Sequence, residues 1–373
     1  MFLIPIIFVP LLYILAVTLF NALSSPMLKH GYRPRSTPRV SVLVPARNEE
    51  ITLHECLQGL RAQNWPDYEI IVLDDNSIDD TWSIIEHHAK ADSRVRGLRG
   101  SDIPEGWVGK TWACQQLVYE ATSEIFIFTD ADNQHAPDAI RNTVGWMQAK
   151  RLTFLTALPQ QILRSFGARL ILPTMDYLVY CLLPMRLTLS LPQKEISAAS
   201  GQWLAITKET YHQLGGHAAV KSEVVEDMAL VRRAKRQGLR TLILAGTDLV
   251  FSKTHERPSE IWQGLRKNMF YLCGGSRSIL AGQAGFMSAA TVLPYFLLAF
   301  SRTRPMARNA VILNMLTRAV LTLKYRHPAE LILFHPVGVL TLIGIAIDSM
   351  KNGEIRWKGR VINLVSNVSK SQS

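Results

Sequence analysis

Charge is scarce in this sequence: Asp, Glu, Lys and Arg make up 19% of its 373 residues, against 48% apolar ones, and neither an internal repeat nor a low-complexity tract breaks the pattern. That balance excludes a disordered or fibrous chain. A mean hydropathy of +0.09 sets the protein above ordinary soluble ones and points to a membrane. Cysteine is also scarce. Cys56, Cys114, Cys181 and Cys273 lie far apart, without paired metal-ligand spacing or a disulfide framework, and read as reduced packing residues. A GxGxxG run is missing, which removes the signature of a dinucleotide-binding oxidoreductase. Lys110 follows Gly109 and precedes Thr111, but a P-loop needs glycine at position 104, where the chain has Pro104. No nucleic-acid motif is present. What remains is a basic excess, 41 Lys+Arg over 30 Asp+Glu, giving a net charge of +11. Because Lys and Arg flank the apolar segments, anionic lipid explains that excess better than nucleic acid does.

Residues 1–23, MFLIPIIFVPLLYILAVTLFNAL, carry no charge and are long enough to cross a bilayer core of about 30 Å. The basic residues that follow, Lys29, Arg33, Arg35 and Arg39, argue for a signal anchor rather than a cleaved peptide and keep the bulk of the chain on the cytoplasmic side. Near the other end, 284–301 and 329–348 are apolar enough to span. Between them 306–323 is apolar but carries Arg308 and Arg318, so a hairpin with a partly embedded middle helix is expected. The stretch 166–191 mixes apolar residues with Arg169, Asp176 and Arg186 and reads as an interfacial helix. The expected organisation is an anchor (1–23), a cytosolic domain (36–280), C-terminal membrane or interfacial helices (284–348) and a basic tail (349–373), in a multi-pass protein of the plasma membrane.

Between the apolar ends, short apolar runs alternate with helical patterns, the signature of βα units around a mostly parallel sheet. Strands are expected at 40–44, 69–73, 95–99 and 125–129, with helices from about Glu50, Asp80, Thr111 and Pro137 and Asp79 as one N-cap. Three of those strands end in polar clusters: Pro45, Ala46, Arg47, Asn48, Glu49; then Asp74, Asp75, Asn76, Ser77; then Asp130, Ala131, Asp132. Asp, Asn and Ser end strands and cap helices in any protein, yet in open α/β sheets ligands bind beyond the carboxyl ends of strands, and three clusters share that edge. In Asp130–Ala131–Asp132 the small middle residue lets two carboxylates approach one hard cation, Mg²⁺ or Mn²⁺, which keeps places for phosphate oxygens.

Taken in order, VSVLVPARNEE, VLDDNS, FTDAD and VEDMAL (225–230) resemble the family 2 glycosyltransferases. Within that family, PEGWVGKTWAC and the late WKGR are similar to membrane-anchored enzymes that glycosylate lipids, especially hopene-associated and carotenoid glycosyltransferases. The resemblance implies an α/β, A-type nucleotide-sugar transferase fold, a mostly parallel Rossmann-like sheet with transmembrane helices at both ends. It also implies roles. Pro45, Ala46, Arg47, Asn48, Glu49, Asp74 and Asp75 would hold the nucleoside; Asp130 and Asp132 would form the metal-diphosphate motif, with Asp132 the direct ligand. Asp227, after Glu226, would be the base, Gly201 would lie near the donor sugar, and Lys110 and Arg266 would absorb charge on the leaving group. The expected activity is inverting transfer of a sugar from a nucleotide-sugar, a UDP-sugar in preference to a GDP-sugar, to a polyisoprenoid, hopanoid or glycerolipid acceptor. No nucleic-acid partner is expected.

The family's Gln-x-x-Arg-Trp appears here as Gln263, Gly264, Leu265, Arg266, Lys267; the missing Trp weakens a polysaccharide-synthase reading, which stays the alternative beside a non-catalytic nucleotide-sugar-binding protein. A nucleotidyltransferase would be expected to open on a glycine-rich loop, which VPARNEE is not. An acidic pair at a helix start is favoured by the dipole whatever its function, and Trp203 fits core packing as readily as a sugar site. His217 and His255 have no partners at metal spacing and read as structural.

Overall fold

The computed structural model describes residues 3–193, 196–253, 257–272, 276–351, 354–358 and 360–363; Cys273 and His255 lie outside the described residues. The chain divides into two compact units. One comprises Pro26–Ile162 and Arg186–Thr254, the other Met1–Ser25, Leu163–Met185 and the chain from His255 onward.

Among the described residues the first unit is built on ten strands: β1 (Val40–Ala46), β2 (Tyr68–Asp74), β3 (Val95–Arg99), β4 (Ile125–Phe128), β5 (Asn133–His135), β6 (Phe154–Leu158), β7 (Gln160–Gln161), β8 (Leu204–Thr207), β9 (Thr241–Ala245) and β10 (Val250–Ser252). Seven form one sheet in the order β3-β2-β1-β4-β8-β6-β9. β1 is buried almost end to end, as a central strand covered on both faces must be. The helix Leu53–Arg61 shows how the cover is made: Leu53, Cys56, Leu57 and Leu60, one stripe at helical spacing, are fully buried. Each of the three leucines contributes about 1.5–3 kcal/mol when removed from water.

Two features of the sheet position the site. β1 pairs in parallel with β2, Ala46 opposite Asp74, and with β4, Leu43 opposite Phe128, so the three polar clusters leave the sheet side by side. β8 runs antiparallel between β4 and β6 and pairs Leu204 with Phe128. An antiparallel strand begins where its neighbour ends, so residues 200–203 enter at the edge that Asp130 leaves. β5, β10 and β7 form a small second sheet beside this edge.

The second unit is helical. Its helices are Leu3–Ser24, Phe166–Leu182, Pro258–Leu272, Arg277–Met287 running on through Leu293–Leu297, Arg304–Tyr325 and Leu331–Ser349, followed by the hairpin strands Glu354–Trp357 and Arg360–Asn363. Leu3–Ser24, Arg277–Leu297 and Leu331–Ser349 are long and apolar enough to cross a membrane by length and composition. The two arginines of the middle helix differ: Arg308 is exposed, whereas Arg318 is fully buried, its Nε donating to His335 Nδ1 at 2.9 Å and a terminal nitrogen to Thr174 Oγ1 at 3.1 Å. The stretch expected at 166–191 is a helix only as far as Leu182, opened by Ser165, whose Oγ accepts from the Ala168 N–H.

Candidate active site

The loops after β1 and β2 are laced together by short polar side chains. Asn48 and Asn76 both adopt left-handed backbone, φ 52° and 54°, which Asn tolerates better than most residues. The Asn48 N–H donates to Ser77 Oγ at 3.0 Å and its side-chain oxygen accepts from the Ile78 N–H at 3.0 Å. The Glu49 N–H donates to Thr81 Oγ1 at 2.7 Å. Arg47 turns back onto the carbonyls of Asp75 and Asn76. Asp74 is fully buried, accepting from the Ser77 N–H at 3.1 Å and pairing with Arg99 at 3.0 Å. Asp79 accepts from the Thr81 N–H at 3.1 Å, although the helix itself opens at Thr81 with Asp80 at the cap position.

Asp130 leaves β4 in a tight turn in which the Asn133 N–H donates to the Asp130 carbonyl at 3.2 Å, and Ala131 is buried beneath it. Lys110 projects from the first turn of the helix Gly109–Glu120. Its ammonium lies 2.7 Å from Asp130 Oδ1 and 3.2 Å from Glu226 Oε1. Glu226 and Asp227 open the helix Glu226–Arg236. Asp227 is clamped by backbone, Oδ2 accepting from the Gly201 N–H at 2.6 Å and Oδ1 from its neighbour Met228 at 2.7 Å. Gly201 sits in a tight place: a Cβ would stand 3.2 Å from Lys110 Nζ, 3.4 Å from Glu226 Oε1 and 3.6 Å from Asp227 Oδ2. These residues line one pocket together with Pro45, Thr129 and His217.

Electrostatics follow from that crowding. Burial, and then the adjacent Glu226, push the Asp227 carboxyl up, with Lys110 opposing. Burial works against the charge on Lys110, yet Asp130 and Glu226 hold its ammonium well above the ordinary lysine range. The pocket is therefore a set of three carboxyl groups around one cation, with an excess of acid that favours a proton at Asp227 while Lys110 presents positive charge beside Asp130. His217 is buried, drawn down to about 3 by burial and then Lys110, and bonded through Nδ1 to Tyr211 Oη at 2.8 Å. It is a neutral packing residue.

Among the described residues, no three His, Cys, Asp or Glu side chains are grouped to hold a cation by themselves. The donor set of Asp130 and Asp132 nevertheless fits Mg²⁺ or Mn²⁺, hard ions that take a few carboxylate oxygens and complete their shell with substrate phosphate and water. Of the candidates read from sequence, Pro45, Lys110, Asp130, Gly201, Glu226 and Asp227 come together. Arg47, Asn48, Glu49, Asp74 and Asp75 form the laced loops beside them. Arg266 belongs to the helical unit, where its guanidinium meets Asp348 at 3.2 Å. Trp203 is fully buried, its Nε1 donating to Thr143 Oγ1 at 2.9 Å, and is core. Sequence reasoning missed Thr129 and Asn133, both fully buried, which share hydrogen bonds with the Gln202 carbonyl at 2.9 and 2.6 Å. Their signal was the polar character of residues flanking the acidic triplet, which is common to most turns.

Comparison with known proteins gives three findings. Residues 41–224 match the model of the glycosyl transferase family 2. The chain is 28% identical over 231 residues to the 4,4'-diaponeurosporenoate glycosyltransferase of Staphylococcus haemolyticus, covering 59% of this chain and 58% of that one; to the protein of the same description from Staphylococcus aureus strain MRSA252 it is 25% identical over 339 residues, covering 86% and 87%. Among solved structures, the mannosyltransferase PcManGT from Pyrobaculum calidifontis, in complex with GDP-Man and Mn²⁺, shares the fold at a TM-score of 0.57 and 19% identity over 91% of this chain and 94% of that one.

Proposed function

From the premise that residues 41–224 are a glycosyl transferase family 2 domain and the chain is a glycosyltransferase, we propose that it moves a sugar from a nucleotide-sugar to a membrane lipid with inversion at the anomeric carbon. The observation that carries this reading is the pocket in which Lys110 bridges Asp130, at the end of β4, and Glu226, beside the clamped Asp227. The acceptor oxygen bonds to the anomeric carbon as the bond from that carbon to the diphosphate oxygen breaks, and the nucleoside diphosphate leaves with the electron pair. Asp227 takes the acceptor proton; its raised proton affinity suits a base working near neutral pH. Lys110 faces the same pocket and offsets charge on the departing diphosphate. Mg²⁺ or Mn²⁺ held by Asp132 and Asp130 would supply further neutralisation when bound. Arg47, Asn48, Glu49, Asp74 and Asp75 form the wall on which the nucleoside would rest, and a UDP-sugar is the proposed donor.

A lipid acceptor is supported by the three apolar helices and by the curated relatives, whose name gives 4,4'-diaponeurosporenoate as what they glycosylate. We place the catalytic unit on the cytoplasmic side of a multi-pass plasma-membrane protein, with Lys29, Arg33, Arg35 and Arg39 following the first helix on that side. An acceptor of polyisoprenoid, hopanoid or glycerolipid type, through a hydroxyl or carboxyl group, follows from the same reading. The test is label transfer. Membranes carrying the chain or Asp132→Ala are incubated with Mn²⁺ or Mg²⁺, a panel of labelled UDP- and GDP-sugars and total lipid extract. Metal-dependent label in the organic phase, lost in the variant, is expected; label confined to polymer would replace the lipid by a polysaccharide, and none in any fraction would sink the catalytic reading.

A further inference from the structure

Asp227 is oriented by a backbone N–H from a loop that precedes β8, and that loop has to be held by something other than its own short sequence. The holding group is a polar knot behind the β4 turn. The Thr129 hydroxyl donates to the Gln202 carbonyl at 2.9 Å, and Asn133 Nδ2 donates to the same carbonyl at 2.6 Å and to Thr129 Oγ1 at 3.2 Å. His135 Nε2 lies 3.0 Å from Thr129 Oγ1. With its one proton committed to Gln202, the hydroxyl accepts from both Asn133 and His135, so the imidazole carries its proton on Nε2 and Thr129 is fully used. The Gln202 side chain donates in turn to Ser252 Oγ at 2.6 Å, anchoring the loop to β10. One residue back, the Gly201 N–H reaches Asp227 Oδ2 at 2.6 Å.

We propose that Thr129 and Asn133 are positioning residues of the transfer reaction: by gripping the Gln202 carbonyl they aim the Gly201 N–H at Asp227, and so tie the placement of the base to the turn that carries Asp130 and Asp132. This inference rests on the reading of Asp227 as base. Three points carry it. Thr129 and Asn133 are fully buried, so the Thr129 hydroxyl and the Asn133 amide nitrogen are not there for solvent, and burying these donors is favourable only when they are bonded, as both are to Gln202. Both converge on a single carbonyl, more than packing alone needs. The carbonyl they hold belongs to the residue next to Gly201, whose N–H bonds Asp227 Oδ2 at 2.6 Å, so a shift of that carbonyl moves the donor with it. An error of about 1 Å in such a group costs on the order of 10²-fold in rate.

The experiment uses the full-length chain with Thr129→Val, which is nearly isosteric and removes the hydroxyl, Thr129→Ser, which restores it, Asn133→Ala, and Asp227→Asn in parallel. Turnover and donor KM come from label transfer with UDP- and GDP-linked sugars and lipid extract; hydrogen exchange of the segment around Gly201 is followed by mass spectrometry on the detergent-solubilised protein. Thr129→Val and Asn133→Ala should lose about 10- to 100-fold in kcat with donor KM within about twofold, and exchange faster at 200–202, while Thr129→Ser stays within about threefold of wild type. Wild-type kcat in Thr129→Val, or an equal loss in Thr129→Ser, overturns the proposal. Unchanged exchange at 200–202 in Thr129→Val also overturns it, because the grip would then not depend on the hydroxyl. Undiminished turnover in Asp227→Asn would remove the base assignment instead, and no transfer by the wild-type chain would remove the functional reading, whereas the exchange data judge the grip independently of both.

Discussion

Replacing Asp227 by Asn tests the chemistry at its centre. The Asp227 carboxyl is pushed up to about 7 by burial and then Glu226. The carboxyl is therefore largely protonated in mildly acidic buffer, so transfer to a hydroxyl lipid should be slower at pH 6 than at pH 8 and rise along a limb between them. Asn keeps the shape and one acceptor for the two backbone N–H groups but takes no proton. Loss of a positioned base costs about 10²- to 10⁴-fold, or roughly 3–5 kcal/mol of barrier, and should flatten the limb. A carboxylate lipid arrives already deprotonated, so transfer to it should fall less than about tenfold in the variant. The assay is label incorporation from pH 5.5 to 8.5 with a hydroxyl and a carboxylate polyisoprenoid side by side. Hydroxyl transfer by Asp227→Asn within about threefold of wild type, or a wild-type profile without a limb, would refute the assignment. Stability gives an independent reading with its own sign. A carboxyl whose folded value lies above its unfolded one, near 4, binds its proton more tightly when folded, so that contribution is present below about pH 4 and is lost as pH rises through about 7. Asp227→Asn should therefore melt higher than wild type at pH 8.5, and the advantage should shrink on going to pH 5.5.

Other substitutions separate the neighbours' roles. Lys110→Met leaves Asp130 and Glu226 without the ammonium at 2.7 and 3.2 Å; kcat/KM should fall by about 10²- to 10³-fold, and the acidic limb should move to higher pH because Lys110 no longer favours ionised Asp227, with an unmoved limb counting against the coupling. Gly201→Ala sets a Cβ 3.2 Å from Lys110 Nζ, so the ammonium has to shift slightly against Asp130 and Glu226; about a tenfold loss of kcat with little change in melting temperature is expected in paired kinetic and thermal measurements. Trp203→Phe removes the donor to Thr143 at 2.9 Å in the core, so thermal unfolding should report a loss of about 1–3 kcal/mol while activity per folded molecule is retained.

The linear pattern carried a good deal of this. Alternation of apolar runs with helical stripes placed β1 to β4 and the helices after them, because burial on both faces of a parallel sheet leaves a dense apolar signature. β3 was read with its observed bounds, and β1, β2 and β4 to within two residues at either end. The acidic clusters at strand ends, the Glu226–Asp227 pair and Lys110 were legible as residue types in order. Other features were not legible. The stretch 166–191 was read as an interfacial helix within the span 36–280; Leu163–Met185 packs within the helical unit, and local hydrophobicity does not say which neighbour a helix covers. Lys110 was read beside the leaving group without its carboxylate partners, since nothing along the chain brings 110 to 130 and 226.

What the sequence by itself determined is therefore the inventory: the β-forming runs, the apolar helices, the carboxylates and the one lysine, each set by local propensity and by which side chains water rejects. What the tertiary structure alone decided is their meeting. β8, inserted antiparallel between β4 and β6, returns residues 200–203 to the edge where Asp130 leaves. Only there does the Gly201 N–H reach Asp227 and a buried threonine grip the carbonyl beside it. Pairing of strands some eighty residues apart is a choice among alternative registers that the packed core makes cooperatively, and no window of sequence contains it.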